Sequence, residues 1–155
     1  MRGIKIRWKT LILSLIIVFA AAFIGSIFTS SQTDSDWYNG IRPKITPPNW
    51  VFPVVWNILF FLIALSLYFA WVSSKRNKKK VALLFGINFL LNILWSVFYF
   101  GMKNPALAFF DLILLWASIV TLIIFLHKIN KKSSYLLIPY FAWVSFAGIL
   151  NYLSI

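Results

Sequence analysis

Cysteine is absent from the 155 residues, which excludes disulfides, thiolate metal centres and cysteine nucleophiles. Acidic side chains are almost as scarce, three against 15 lysines and arginines. Asp111 alone falls inside a hydrophobic run, so no pair of carboxylates can share acid–base work there. The single histidine, His127, stands at the end of a run beside Lys128 and reads as a membrane-interface residue rather than an axial haem ligand. Charged residues make up 12% of the chain, half of the roughly 25% usual in soluble domains. No HExxH, phosphate-binding glycine loop, GxSxG or dinucleotide fingerprint occurs, so the sequence carries no signature of classical hydrolysis or metal catalysis. There is no low-complexity tract.

What the chain has instead is apolar and aromatic residue: 61% hydrophobic, 19% aromatic, with a mean hydropathy of +0.86. Five segments near the roughly 20 residues that a bilayer requires cover residues 11–28, 50–72, 81–101, 106–127 and 134–153. Lipid offers no partners to open backbone, so the expected fold is all-α, a single five-helix transmembrane domain. The odd number of segments argues against a two-half inverted repeat. The first segment follows the basic MRGIKIRWKT and competes with a signal peptide. Its length, the lack of a small-x-small cleavage site after Phe28, and the Ala21/Gly25 and Ala22/Ser26 pairs favour a retained first helix.

Lysine and arginine crowd alternate ends of the segments. Arg2, Lys5, Arg7 and Lys9, then Lys75, Arg76 and Lys78 to Lys80, then Lys128, Lys131 and Lys132 supply 12 of the 15. The other side has Arg42, Lys44 and Lys103. This distribution sets the amino terminus in the cytoplasm and the carboxyl terminus outside. It is also the pattern of contact with anionic lipid rather than nucleic acid, for which no reading motif exists here. The long outer loop, residues 29–46, holds Asp34, Asp36, Trp37, Tyr38, Arg42, Pro43 and Lys44. It is read either as a lid or, through Trp37 and Tyr38, as an interfacial anchor.

Three segments carry amides and large rings at helical spacing. Asn88, Asn92, Trp95 and Tyr99 share one face, as do Tyr140, Trp143, Ala147 and Asn151, and likewise Trp50, Asn57, Ala64 and Tyr68. Such stripes suit a flat, partly polar molecule held between helices, with amides and indole N–H groups gripping a carbonyl or ring nitrogen. Interhelical hydrogen bonding between the amides is the competing reading. Asp111, on a face with Ala108 and Ser118, is either a ligand contact or a buried group fixing helix packing. Trp8, Trp71 and Trp116 lie off the stripes and read as belt or packing residues. Pro47 and Pro48 sit where a helix begins, and Pro53 falls in its first turns.

The blocks KITPPNWVFPVVWNILF (44–60), NFLLNILWSVFYFG (88–101), ALAFFDLILL (106–115) and PYFAWVSFAGILNY (139–152) resemble the tryptophan-rich sensory protein family. Its animal members are called translocator protein or peripheral-type benzodiazepine receptor. The resemblance covers almost the whole chain. It implies a five-helix bundle, commonly a homodimer, with a pocket near the long first loop. Family members bind porphyrins, especially protoporphyrin IX, and isoquinoline-carboxamide or benzodiazepine drugs; no separate cofactor is implied. Carried onto this chain, the pocket residues are Pro47, Trp50, Asn88, Asn92, Trp95, Trp143 and Ala147. Trp50 and Trp143 match positions linked to light- and oxygen-dependent porphyrin breakdown in some bacterial members. Two departures stand out. Phe60 replaces the usual tyrosine, and no basic residue follows Tyr152, which leaves the cholesterol motif incomplete.

The expectation is therefore a membrane protein binding protoporphyrin IX in tetrapyrrole sensing, handling or stress response. Arg42 and Lys44 would meet the propionates. A porphyrin-degrading enzyme and a carrier of small amphiphiles are the alternatives.

Overall fold

The computed structural model describes residues 5–155; Arg2, counted among the basic residues of the amino terminus, lies outside them. The described residues form helices α1 (Trp8–Thr29), α2 (Asp36–Ile41), α3 (Val51–Ser73), α4 (Lys78–Ser96), α5 (Pro105–His127), α6 (Lys131–Tyr135) and α7 (Ile138–Tyr152), with a π-helical turn (Val97–Gly101) extending α4. Five stretches of 22–24 residues are long and apolar enough to cross a membrane: Trp8–Thr29, Val51–Ser73, Lys78–Gly101, Pro105–His127 and Lys131–Tyr152. Large apolar side chains such as Leu13, Ile16, Leu83 and Phe110 are exposed on their outer surfaces, as lipid contact requires.

Local sequence explains where the helices begin and break. Asn104 caps α5 by accepting from the Leu107 N–H at 3.0 Å, with Pro105 in the first turn where its missing N–H costs nothing. Ser35 and Asn130 cap α2 and α6 in the same way. The last hydrophobic segment is divided: α6 ends at Tyr135, and Leu136 and Leu137 turn the chain before α7. Pro139 in the first turn of α7 accounts for the break, because it cannot donate backward into a continuous helix. The connection 29–46 is likewise not all loop, since α2 forms inside it.

Packing is uneven around the bundle. α1 lies on α3 and α4, and α5 lies on α4 and α7, whereas α3 and α7 have few close approaches. The main core holds Ile63, Ala64, Val81, Phe85, Ile119, Leu122 and Leu126, toward the end where the basic clusters gather. At that end the Ser66 and Ser133 hydroxyls join α3 to α6, and Asn130 Nδ2 donates to Ser73 Oγ at 2.8 Å. A second cluster of Tyr38, Tyr99, Phe100 and Ala108 docks α2 on the opposite end. The π-helical turn supplies two of these residues. Tyr99 and Phe100 within it are both buried.

Candidate ligand cavity

Near the end covered by α2, helices α1, α3, α4 and α7 separate around a cavity of about 640 Å³. Aromatic residues dominate its wall. Trp56 stacks on Phe60 (5.3 Å between ring centres), Trp95 stacks on Tyr99 (5.1 Å), and Phe52 meets Trp143 edge-on (5.8 Å). Each stacked pair is spaced i, i+4 on one helix, which superposes the rings on one face.

Four of the sequence-derived pocket residues lie together on this wall: Asn92, Trp95, Trp143 and Ala147. The other three do not line it. Asn88 lies one turn from Asn92 on the same face, where α5 and α7 close in, and is 1% exposed. Its Nδ2 donates to Ser118 Oγ at 2.8 Å and its Oδ1 accepts from the Tyr140 hydroxyl at 3.2 Å. Asn92 Nδ2 donates to that same hydroxyl at 3.2 Å, so one buried phenol links both amides. Pro47 remains in the loop before α3. Trp50 is the N-cap of α3 and 68% exposed. Trp56, beside Asn57, lines the wall instead.

Sequence reasoning missed the contribution of α1. Phe19, Ala22, Phe23 and Ser26 form one side of the cavity, although Ala22 and Ser26 had the spacing of close packing. Gly25 is buried beside Ser96 of α4 at the edge of the same cavity, with room there for a methyl group in ordinary contact with Ser96 Oγ. On α7, Asn151 is committed to structure. Its Oδ1 accepts from Trp95 Nε1 at 2.9 Å and its Nδ2 donates to the Pro105 carbonyl at 2.8 Å. By contrast, the indole N–H groups of Trp56 and Trp143 make no hydrogen bond among the described residues, and neither does Asn92 Oδ1. These groups give the wall hydrogen-bonding capacity that the fold does not consume.

The cover is pinned by Asn49. Its Nδ2 donates to Asp34 Oδ1 at 2.8 Å and to the Thr33 carbonyl at 3.2 Å, and its Oδ1 accepts from Arg42 Nη1 at 3.2 Å. One side chain thus joins the start of the loop, the end of α2 and the approach to α3. Trp37 and Tyr38 pack on Tyr99 and Phe100, which makes them part of the cover. Burial pushes the Tyr38 phenol above its ordinary pKa, against the opposing pull of Arg42, so it stays neutral. Asn49→Ala is expected to speed release of a bound ligand by about tenfold, because the three contacts, two of them exposed, each contribute only about 0.5 kcal/mol to closure. Stopped-flow dissociation, with hydrogen exchange across residues 30–48, measures this.

Arg42 and Lys44 are exposed and do not line the cavity, whereas Pro43 between them does. Asp111 is 5% exposed, off the cavity wall, and its Oδ2 has no hydrogen-bond partner among the described residues. An unpartnered buried carboxylate opposes folding. Asp111→Asn is therefore expected to raise stability by on the order of 1 kcal/mol, read as a higher midpoint of thermal unfolding in detergent. A lower midpoint would show that the carboxylate is held by a partner such as ordered water.

A family model described as "TspO/MBR family" matches residues 14–154. The tryptophan-rich protein TspO of Archaeoglobus fulgidus is 39% identical over 143 residues, covering 92% of each chain. The tryptophan-rich sensory protein of Cereibacter sphaeroides is 27% identical over 90% of this chain and 88% of its own. The translocator protein of Homo sapiens is 28% identical over 84% of this chain and 79% of its own.

Proposed function

This multi-pass membrane protein belongs to the TspO/MBR family, and on that premise we propose that it is a receptor-like protein that binds a porphyrin, protoporphyrin IX above all. The reading rests on one observation: a cavity of about 640 Å³ walled by stacked aromatic rings, with the latched α2 loop along its rim. That volume lies within the roughly 300–1,000 Å³ of small-molecule sites. Aromatic faces suit a planar macrocycle, and the free indole N–H groups of Trp56 and Trp143 suit ring nitrogens or a carbonyl. Isoquinoline-carboxamide and benzodiazepine ligands share that chemistry. The cellular role is tetrapyrrole sensing, handling or stress response, carried out by a homodimer whose amino terminus is cytoplasmic.

A dark titration of tryptophan fluorescence with protoporphyrin IX tests the reading, with protein-free micelles setting the absorption and partition baseline. Saturable quenching is the expected result. Linear quenching equal to that of an unrelated membrane protein would remove porphyrin as the ligand.

The position of Trp143 favours a second reading, light- and oxygen-dependent breakdown of the bound porphyrin. Trp143 stands on the cavity wall, whereas Trp50 is exposed and off that wall. Under illumination, Trp143→Phe is expected to reduce porphyrin bleaching to the protein-free rate, while Trp50→Phe leaves it unchanged. Bleaching by the parent protein no faster than that of porphyrin in protein-free micelles would dismiss the enzymatic reading.

A further inference from the structure

None of the residues lining the cavity is charged. Lysine, arginine, histidine and aspartate are all missing from its wall, although polar groups are well represented by Asn57, Asn92, Ser96 and Thr46. The amides and hydroxyls around its base are largely engaged with one another, as Asn151 with Trp95 and the Tyr99 hydroxyl with Ser154 Oγ at 3.0 Å. A carboxylate drawn into such a space would give up its hydration for no counter-charge, and burying an unpaired charge is among the costliest steps in binding. Cations are nevertheless close by. Pro43 forms part of the wall, and its two chain neighbours, Arg42 and Lys44, are both exposed at the loop. The Arg42 guanidinium is held there by Asn49, itself a wall residue.

We propose that the cavity admits only the uncharged body of its ligand and leaves any carboxylates at the rim beside Arg42 and Lys44. This inference rests on the porphyrin reading and narrows it. The accepted class is a flat macrocycle with all its charge along one edge, entering with the opposite edge first. Protoporphyrin meets that condition, since its two propionates sit side by side. A porphyrin with charge on every side does not, whatever its affinity for the loop.

The test compares dark binding of protoporphyrin IX, its dimethyl ester and the meso-tetrakis(4-sulfonatophenyl) porphyrin, each corrected for micelle partitioning. Because the rim contacts are exposed, losing them costs little, and the ester is expected to bind within about tenfold of the diacid. The tetrasulfonate is expected to bind about a hundredfold more weakly or not at all, since at least one charge would have to enter the wall unpaired. Lys44→Gln, which leaves the Arg42–Asn49 contact of the cover in place, is expected to weaken the diacid by roughly threefold and leave the ester unchanged. A tetrasulfonate as tight as the diacid would overturn the charge rule alone, as would a Lys44→Gln variant that weakens the ester equally. Failure of both protoporphyrin and its ester to saturate would instead overturn the porphyrin reading, and the charge rule with it.

Discussion

Ala147→Trp is expected to weaken protoporphyrin binding by at least about a hundredfold, because an indole placed on the wall fills the space a ligand must occupy. Ala147 faces the cavity with Trp143 and Leu150 on the same stretch of α7. A larger side chain there projects into existing space rather than into the packed core, so the usual overpacking cost of about 1–3 kcal/mol is largely avoided. Thermal unfolding of the empty protein should therefore stay close to the parent. Titration and melting on one preparation check both halves. Retained affinity would mean that porphyrin binds elsewhere on the protein.

Asn88→Ala is expected to do the reverse, lowering stability by about 2–3 kcal/mol while leaving affinity within about threefold. The side chain is buried away from the cavity wall, between Ser118 on α5 and the Tyr140 hydroxyl on α7. Its removal leaves the Tyr140 O–H in the core without its acceptor, and that desolvated donor accounts for most of the cost. Interhelical hydrogen bonds in membrane proteins can be weaker than this, but here one amide serves two partners. Denaturation in mild detergent measures the loss. A stable variant that no longer binds porphyrin would restore Asn88 to the ligand site.

The opposite behaviour expected of Asn88 and Ala147 shows what a helical stripe can reveal. Spacing alone aligned Asn88, Asn92 and Trp95, and they do share a face of α4. It carried no information on how far along that face α5 and α7 stay in contact, and this divides core from cavity between Asn88 and Asn92. The five spanning stretches were legible because an apolar run of about 20 residues has few alternatives in lipid. The break before α7 was written in Pro139 but masked by the continuous hydrophobicity around it. On α3 the spacing drew attention to Trp50 with Asn57. Asn57 does line the wall, with Trp56 beside it, while Trp50, two turns earlier, lies exposed beyond its edge. The role of α1 was hidden because Ala22 and Ser26 give the same pattern whether they admit a helix or a ligand. Asn49 could not be identified as a latch, since its partner Asp34 lies 15 residues away across a loop.

The eight tryptophans provide a direct test of where the ligand sits. Protein labelled with 5-fluorotryptophan, its ¹⁹F resonances assigned by single Trp→Phe variants, can be titrated with protoporphyrin IX in the dark. A macrocycle seated in the cavity shifts Trp56, Trp95 and Trp143 through its ring current and leaves Trp8, Trp50, Trp71 and Trp116 in place. Shifts at Trp50 or Trp116 with Trp143 unmoved, or equal small shifts at all eight, would contradict the assignment of this cavity as the porphyrin site.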